Sequence, residues 1–133
     1  MQSRKEEFED FYEIFEQKNL KKNFIVIVLG QFVFNYDFID ILKGFLKEDV
    51  ERRDTIGVVY SDEFDKNDEE YFGENKVLFY YGTDEDWEDI VTHEELCNYL
   101  EAACDFYIEK HPEHTEDTEK LLLKIKAKYN VKD

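Results

Sequence analysis

An acidic stretch from Ser61 to Asp89 carries the residues best suited to chemistry in this chain. Twelve of its 29 residues are aspartate or glutamate, against two lysines, and seven are aromatic. The charge alone would suit a solvated face, but a solvating tail has little reason to contain so many aromatic side chains. Carboxylates around aromatic anchors are typical of a surface that binds a basic partner. The residues predicted for this surface are Asp62, Glu63, Asp65, Asp68, Glu69, Glu70, Tyr71, Asp84, Asp86, Trp87 and Glu88.

Calcium binding is the first alternative use of these carboxylates. An EF-hand loop needs oxygen ligands at positions 1, 3 and 5, glycine at position 6 and glutamate at position 12. A loop starting at Asp65 has Glu70 in place of the glycine and Lys76 in place of the glutamate. One starting at Asp84 has Asp89 at the glycine position. We predict no metal site, and weak binding of divalent cations by clustered carboxylates stays an alternative.

Catalytic motifs do not stand out. The chain contains no nucleophile elbow, no glycine-rich phosphate loop and no His-Glu-x-x-His pattern. His111 and His114 lie on either side of Pro112, so zinc ligation is not expected, and these residues and His93 are interpreted as caps or turn residues. We predict that the protein is not an enzyme and needs no cofactor.

The net charge narrows the class of partner. A formal charge of −17 is far beyond the magnitude of about 2–8 that suits a small soluble domain. Such a field repels nucleic acids and anionic lipid surfaces and attracts basic proteins. We therefore expect a basic protein partner, with no direct binding to nucleic acid and no membrane association.

The cysteine spacing and the N-terminal sequence indicate the cellular compartment of the protein. Cys97 and Cys104 are seven residues apart in one predicted helix, about 10 Å along its axis, which is too far for a disulfide. Two free thiols indicate a reducing compartment. The first ten residues lack the apolar core of a signal peptide, and the longest apolar run, Phe24–Leu29, is too short to span a membrane. We predict a cytoplasmic protein.

Four helices follow from hydrophobic spacing. The first runs from Ser3 to Lys18, and the second from Tyr36 to Lys47 with Asn35 as a possible N-cap. Thr92 to Glu95 forms a capping box that begins the third helix, and Pro112 stops it. The fourth covers about Glu116–Lys128.

Strands are expected in the middle of the chain, at 53–60, 76–81 and 88–91. Gly73 and Gly82 would lie in the turns of this meander, and its acidic loops would meet at one end or edge. Phe24–Leu29 has the β-branched composition of a buried strand, but periodicity alone does not distinguish it from a buried helix. The fold class is α+β: one domain over residues 1–133, with a small antiparallel sheet of about three strands flanked by four or five helices.

Several segments, taken in order, resemble a known family. They are Phe38–Leu42, Gly57–Glu63, Tyr71–Phe72, Val77–Tyr80 and Val91–Pro112, within a region from Phe24 to Ile125. This order is similar to that of the ribonuclease-toxin immunity proteins of bacterial contact-dependent growth inhibition. The resemblance implies a helix at Phe24–Leu29. It also implies a cytoplasmic inhibitor that forms a heterodimer with the basic nuclease domain of its cognate toxin and blocks access of RNA to the active site.

Two other functions stay open from the sequence. An acidic mimic of nucleic acid would inhibit a DNA-binding protein, and it would need carboxylates spaced like duplex phosphates along an extended surface. A weak cation-binding or hydrolytic protein would need carboxylates that converge in space.

Overall fold

A computed structural model describes residues 4–50, 52–53, 55–69, 71–82 and 87–129. These residues form five α-helices and one sheet of three strands. In chain order the elements are α1 (Arg4–Gln17), α2 (Asn23–Asn35), α3 (Phe38–Lys47), β1 (Ile56–Tyr60), β2 (Lys76–Tyr81), β3 (Glu88–Thr92), α4 (His93–Lys110) and α5 (Thr115–Lys128). The predicted α+β class is confirmed.

The sheet is an antiparallel meander in the order β1-β2-β3. Val58 pairs with Phe79, and Val77 pairs with Val91, so these four side chains project from the same face. All four are buried in the hydrophobic core, and helices α2 and α4 contact β2 and β3. One face of the sheet is therefore committed to the core.

The apolar run Phe24–Leu29, for which the residues alone did not distinguish a strand from a helix, is helical and lies in α2. Asp89 in β3 supplies the missing cap: its carboxylate accepts the backbone N–H groups of Phe24 (2.8 Å) and Ile25 (3.3 Å). A negative charge at a helix N-terminus also interacts favourably with the helix dipole. Because α2 buries seven of its residues, an apolar composition all round is what this helix requires.

Lys22 ties the start of α2 to two neighbouring elements. Its ammonium group donates to the carbonyl of Ile90 in β3 (2.7 Å) and lies 3.4 Å from the Glu95 carboxylate in α4. The backbone N–H of Lys22 donates to the hydroxyl of Tyr99 (3.0 Å). Together with Asp89, these contacts fix the position of β3 relative to α2 and α4.

The predicted N-cap of α3 was wrong by two residues. Asn35 is the last residue of α2, and Asp37 caps α3 by accepting the N–H groups of Ile39 (3.1 Å) and Asp40 (3.3 Å). Asp37 has the extended backbone that a cap requires, whereas Asn35 is still helical. At the other end of α3, a Cβ on Gly44 would lie 2.7 Å from the carbonyl oxygen of Asp49, so the returning chain explains this glycine.

The capping box at the start of α4 is confirmed. The Glu95 N–H donates to the Thr92 hydroxyl and the Thr92 N–H donates to the Glu95 carboxylate, both at 3.1 Å. Further along α4, Cys97 and Cys104 are buried and free, as predicted. Burial raises the pKa of the Cys97 thiol to about 11, so it is not a thiolate near neutral pH.

The predicted strands and turn glycines hold with small changes. Strand β1 starts at Ile56 rather than Arg53, because the Arg53 N–H donates to the Ile56 carbonyl (2.8 Å) in a tight turn. Gly73 and Gly82 lie in connections between strands with positive φ angles of 113° and 97°. Among the described helices, none is long and apolar enough to cross a membrane.

Replacing Asp89 by alanine tests the cap on α2. We expect the free energy of unfolding, measured with urea, to fall by about 1–2 kcal/mol because two helix N–H groups lose their acceptor. Asp89→Asn should retain most of the stability. The control is Asp105→Ala, which removes an exposed ion pair with Lys18 and should cost less than about 0.5 kcal/mol. Equal losses in the two alanine variants would contradict the assigned role.

Replacing Thr118 in α5 should raise the stability of the protein, whereas the previous substitution lowers it. Its side chain is fully buried, and its hydroxyl has no hydrogen-bond partner among the described residues. Thr118→Val should therefore stabilise the protein by about 1 kcal/mol, measured by urea or thermal unfolding. The matched variant Thr115→Val removes a hydroxyl that donates to the Pro112 carbonyl (2.7 Å) and should destabilise it. Destabilisation by Thr118→Val would show that the hydroxyl is satisfied.

Candidate binding cleft

The sheet face opposite the core carries a row of apolar side chains. Val59 pairs with Leu78, and Leu78 pairs with Ile90, so the three project together from neighbouring strands. None of the three belongs to the main core cluster of buried residues, although Val59 is itself buried, with only 8% of its surface exposed. This row forms the floor of a cleft.

The segment between β1 and β2 folds back over this face and forms the walls. The rings of Phe64 and Phe72 meet edge to face with centroids 6.1 Å apart, and Tyr71 lies beside them. The cleft has a volume of about 580 Å³, within the range of sites that hold small ligands. Its lining residues are Arg52, Val59, Phe64, Glu69, Tyr71, Phe72, Leu78, Glu88 and Ile90. None of them belongs to a helix.

Two predicted carboxylates, Glu69 and Glu88, share this cleft although they are distant in sequence. The acidic loops were expected to meet at one end or edge of the sheet; a common end is excluded by the topology, and Asp84 and Asp86 of the second loop lie outside the described residues. In a meander, successive connections leave from opposite ends: Tyr60 pairs with Val77 at one end, and Tyr80 pairs with Glu88 towards the other. Glu69 lines the same cleft as Glu88 because its segment crosses the outer face of the sheet.

Glu63 has a structural task beside the cleft. Its carboxylate accepts the backbone N–H of Tyr60 (2.8 Å), closing a 3-10 turn at Ser61–Glu63. The same carboxylate accepts a hydrogen bond from the guanidinium of Arg52, whose side chain is 51% exposed. The charge that the sequence assigned to partner binding is thus already paired within the chain.

Asp62 faces a different cluster, at the ends of α3 and α5. It lies near Glu48, whose pKa is raised by burial and then by the Asp62 carboxylate. It also lies near His93, whose pKa is lowered chiefly by burial. The His93 ring packs on Tyr129 with centroids 4.5 Å apart. Asp62 therefore does not contribute to the rim of the cleft.

The other predicted contact residues are exposed in turns or lie outside the described residues. The Asp68 carboxylate accepts the Asp65 N–H (3.1 Å), and both side chains are exposed. Trp87 is 46% exposed and covers Gly82, where a Cβ would come within 2.0 Å of the indole ring. The predicted contact residues outside the described residues are Glu70, Asp84 and Asp86.

Sequence reasoning missed the floor of the cleft and Arg52. A signal for the floor was present in β1 and β2, where Val59 and Leu78 are apolar and the alternate residues are also apolar. Such a strand is covered on both faces or exposes an apolar surface. Arg52 precedes β1 and carries no comparable signal.

Metal ligation finds no support in the described residues. They contain no group of three or more histidine, cysteine, aspartate or glutamate side chains placed to hold an ion. His111 caps the C-terminus of α4, and the rings of His111 and His114 pack on Tyr107 at 4.7 and 5.9 Å. These histidines are cap and turn residues, as the sequence predicted.

The chain was compared with models of known families. A family model described as CDI immunity protein, where CDI is contact-dependent growth inhibition, matches residues 8–122. This region begins in α1, ends in α5 and contains every residue that lines the cleft. No curated protein matches the chain.

The Glu48 carboxyl next to Asp62 yields a prediction about pH. Its raised pKa means that the folded protein holds the proton more tightly, so this contribution to stability is present below the ordinary carboxyl pKa of 4.5 and is lost as the pH rises through the raised value. Glu48→Gln should therefore stabilise the protein by a few tenths of a kcal/mol at neutral pH, about the size of one like-charge contact.

Urea unfolding at about pH 7 and about pH 4 checks this pH dependence, since the gain should shrink in acid. The control is Glu109→Gln at an exposed position of α4, which should change the free energy of unfolding by less than about 0.5 kcal/mol at either pH. A gain from Glu48→Gln that is the same at both pH values would contradict the electrostatic origin.

Proposed function

The chain belongs to the CDI immunity protein family, and from this premise we propose that it neutralises the ribonuclease C-terminal domain of a cognate toxin by binding it through the outer face of the sheet. The inhibitor would act as a single domain over residues 1–133, in the cytoplasm, in a heterodimer with the toxin domain. It would contribute no catalysis, because its task is to occupy a surface of the toxin.

One observation carries the proposal: an apolar cleft with acidic residues at its rim lies on a sheet face that the described helices leave open. Leu78 and Ile90 offer the desolvated contact area from which interfaces gain most of their affinity, and Tyr71 offers an aromatic anchor. Glu69 and Glu88 supply the charge that a basic partner requires.

Charge complementarity explains why this face suits a nuclease. An enzyme that cleaves RNA needs basic side chains along its substrate groove to contact the phosphate backbone. A carboxylate-rich face can occupy the same groove and exclude the RNA. The net charge of −17 would also steer the two proteins together and raise their association rate.

The direct test is an RNA-cleavage assay with the cognate toxin domain, titrated with this protein at two salt concentrations. We expect complete loss of cleavage at a ratio of one to one, and an association rate that falls as salt is raised. Undiminished cleavage with a folded sample would overturn the ribonuclease assignment for this pair. An association rate indifferent to salt would overturn the electrostatic part.

Charge reversal at the cleft tests the binding face. Glu69→Lys and Glu88→Lys should each weaken inhibition by about tenfold or more, because a lysine at the rim repels a basic partner. The matched control is Glu119→Lys, which makes the same change of charge at an exposed position of α5. Isothermal calorimetry with the toxin domain measures all three. Equal effects would show that overall charge, and not the cleft, determines affinity.

A further inference from the structure

We infer that the cleft receives an arginine side chain of the toxin domain, and that Arg52, which lines the same cleft and is bonded to Glu63, opposes its entry by charge and by occupying space. This inference rests on the proposed function and names the chemistry of the contact within it. It follows from the arrangement of apolar and acidic surface in the cleft and from the presence of an arginine of this chain in the same space.

The cleft offers two kinds of surface to a bound group. Leu78 and Ile90 in the floor and the aromatic rings of Phe64 and Phe72 in the wall offer flat apolar contact. Glu69 and Glu88 offer carboxylates at the sides. A group that fits both must be weakly hydrated on its faces and must donate hydrogen bonds from its edges.

The arginine guanidinium has this combination and the lysine ammonium does not. A guanidinium is planar, stacks on aromatic and aliphatic surface, and donates from its edges to carboxylates in fixed geometry. An ammonium is a compact and strongly hydrated charge that gains little from an apolar floor. The three methylene groups of arginine can also bury against such a surface.

Arg52 already places a positive charge beside the proposed site. Its side chain lines the cleft and donates to Glu63, which the N–H of Tyr60 also holds. The positive charge of Arg52 lowers the negative potential that an incoming cation meets. Because this ion pair is half exposed, it adds little to stability, and its removal should leave the fold intact.

The inference predicts a local effect: removing the arginine that lines the cleft should improve binding more than removing an arginine elsewhere. Arg52→Gln should tighten binding to the toxin domain by about three- to tenfold at low salt, since one repulsive charge leaves the cleft and the Glu63 carboxylate is released from its ion pair. Arg53→Gln is the matched control. Arg53 makes the same contribution to net charge from the neighbouring position, but its guanidinium lies over the Tyr36 ring (5.5 Å) and it does not line the cleft.

Calorimetry at low salt compares the wild type, Arg52→Gln and Arg53→Gln, with thermal unfolding to verify that all three are folded. Tighter binding by Arg52→Gln than by Arg53→Gln supports the inference. Equal affinities of the two variants would overturn it, because net charge would then explain the change. Weaker binding by Arg52→Gln would also overturn it, since Arg52 would then contact an acidic group of the toxin.

A second measurement separates this inference from the proposed function, because it uses no toxin. The protein, labelled with ¹⁵N, is titrated with a short capped peptide containing one arginine and with the peptide in which neutral citrulline replaces it. We expect the arginine peptide to shift the amide resonances of Leu78 and Ile90, more strongly in Arg52→Gln, and the citrulline peptide to leave them in place.

Equal shifts with the two peptides, or none with either, would overturn the arginine site even if the wild type inhibits the toxin. A failure of the wild type to inhibit RNA cleavage, together with the expected peptide shifts, would instead overturn the ribonuclease proposal and retain the arginine-binding cleft.

Discussion

The contact between Asp89 and the first turn of α2 determines much of this fold. It places a carboxylate from the third strand at the N-terminus of the most apolar helix, with hydrogen bonds to Phe24 and Ile25. Helix N-termini leave four N–H groups without intrahelical partners, and burial of such an end is costly unless an acceptor is present. The inner side of β3 therefore carries one acid where a sheet on a hydrophobic core would otherwise carry an apolar residue. The rest of the inner face can then pack against α2 and α4.

This arrangement has a consequence for the other side of the sheet. With α2 and α4 on the core face, the five described helices leave the outer row of Val59, Leu78 and Ile90 to the segment that follows β1. That segment covers the row incompletely and leaves a cleft. Extended apolar surface on a small protein is commonly an interaction site, and the acidic rim is the reason for the basic partner proposed above. The family to which the chain belongs agrees with a role in binding.

Local patterns predicted the elements well, but the placement of charge depended on topology. The Thr92–Glu95 capping box, the strand at Lys76–Tyr81 and the helix that Pro112 ends each depend on neighbouring residues, and each was found. The helix at Phe24–Leu29 was ambiguous because its cap comes from a residue 65 positions away, which no local pattern contains. The candidate cleft was recovered only in part. The sequence suggested that the Glu63 carboxylate is available to a partner, whereas it is bonded to Arg52 and to the Tyr60 N–H. Glu69 and Glu88 line the same cleft because of the way one segment crosses the sheet, which no local pattern contains.

The contact between the Lys22 ammonium and the Ile90 carbonyl limits how this small sheet can meet other chains. The backbone groups at the edges of an open sheet are templates for further strands, and proteins protect them with charged side chains, bulges or covering segments. Lys22 occupies one such group on β3, and the chain before β1 folds back so that Arg52 forms a bridge with Gly57 on the opposite edge strand. Binding of a partner by addition of a strand is therefore hindered on both edges of the sheet. The side chains on the open face are the remaining surface of the sheet that a partner can contact. If the open face binds the partner as proposed, substitutions on that face can change specificity with no change in the hydrogen-bonded frame beneath it.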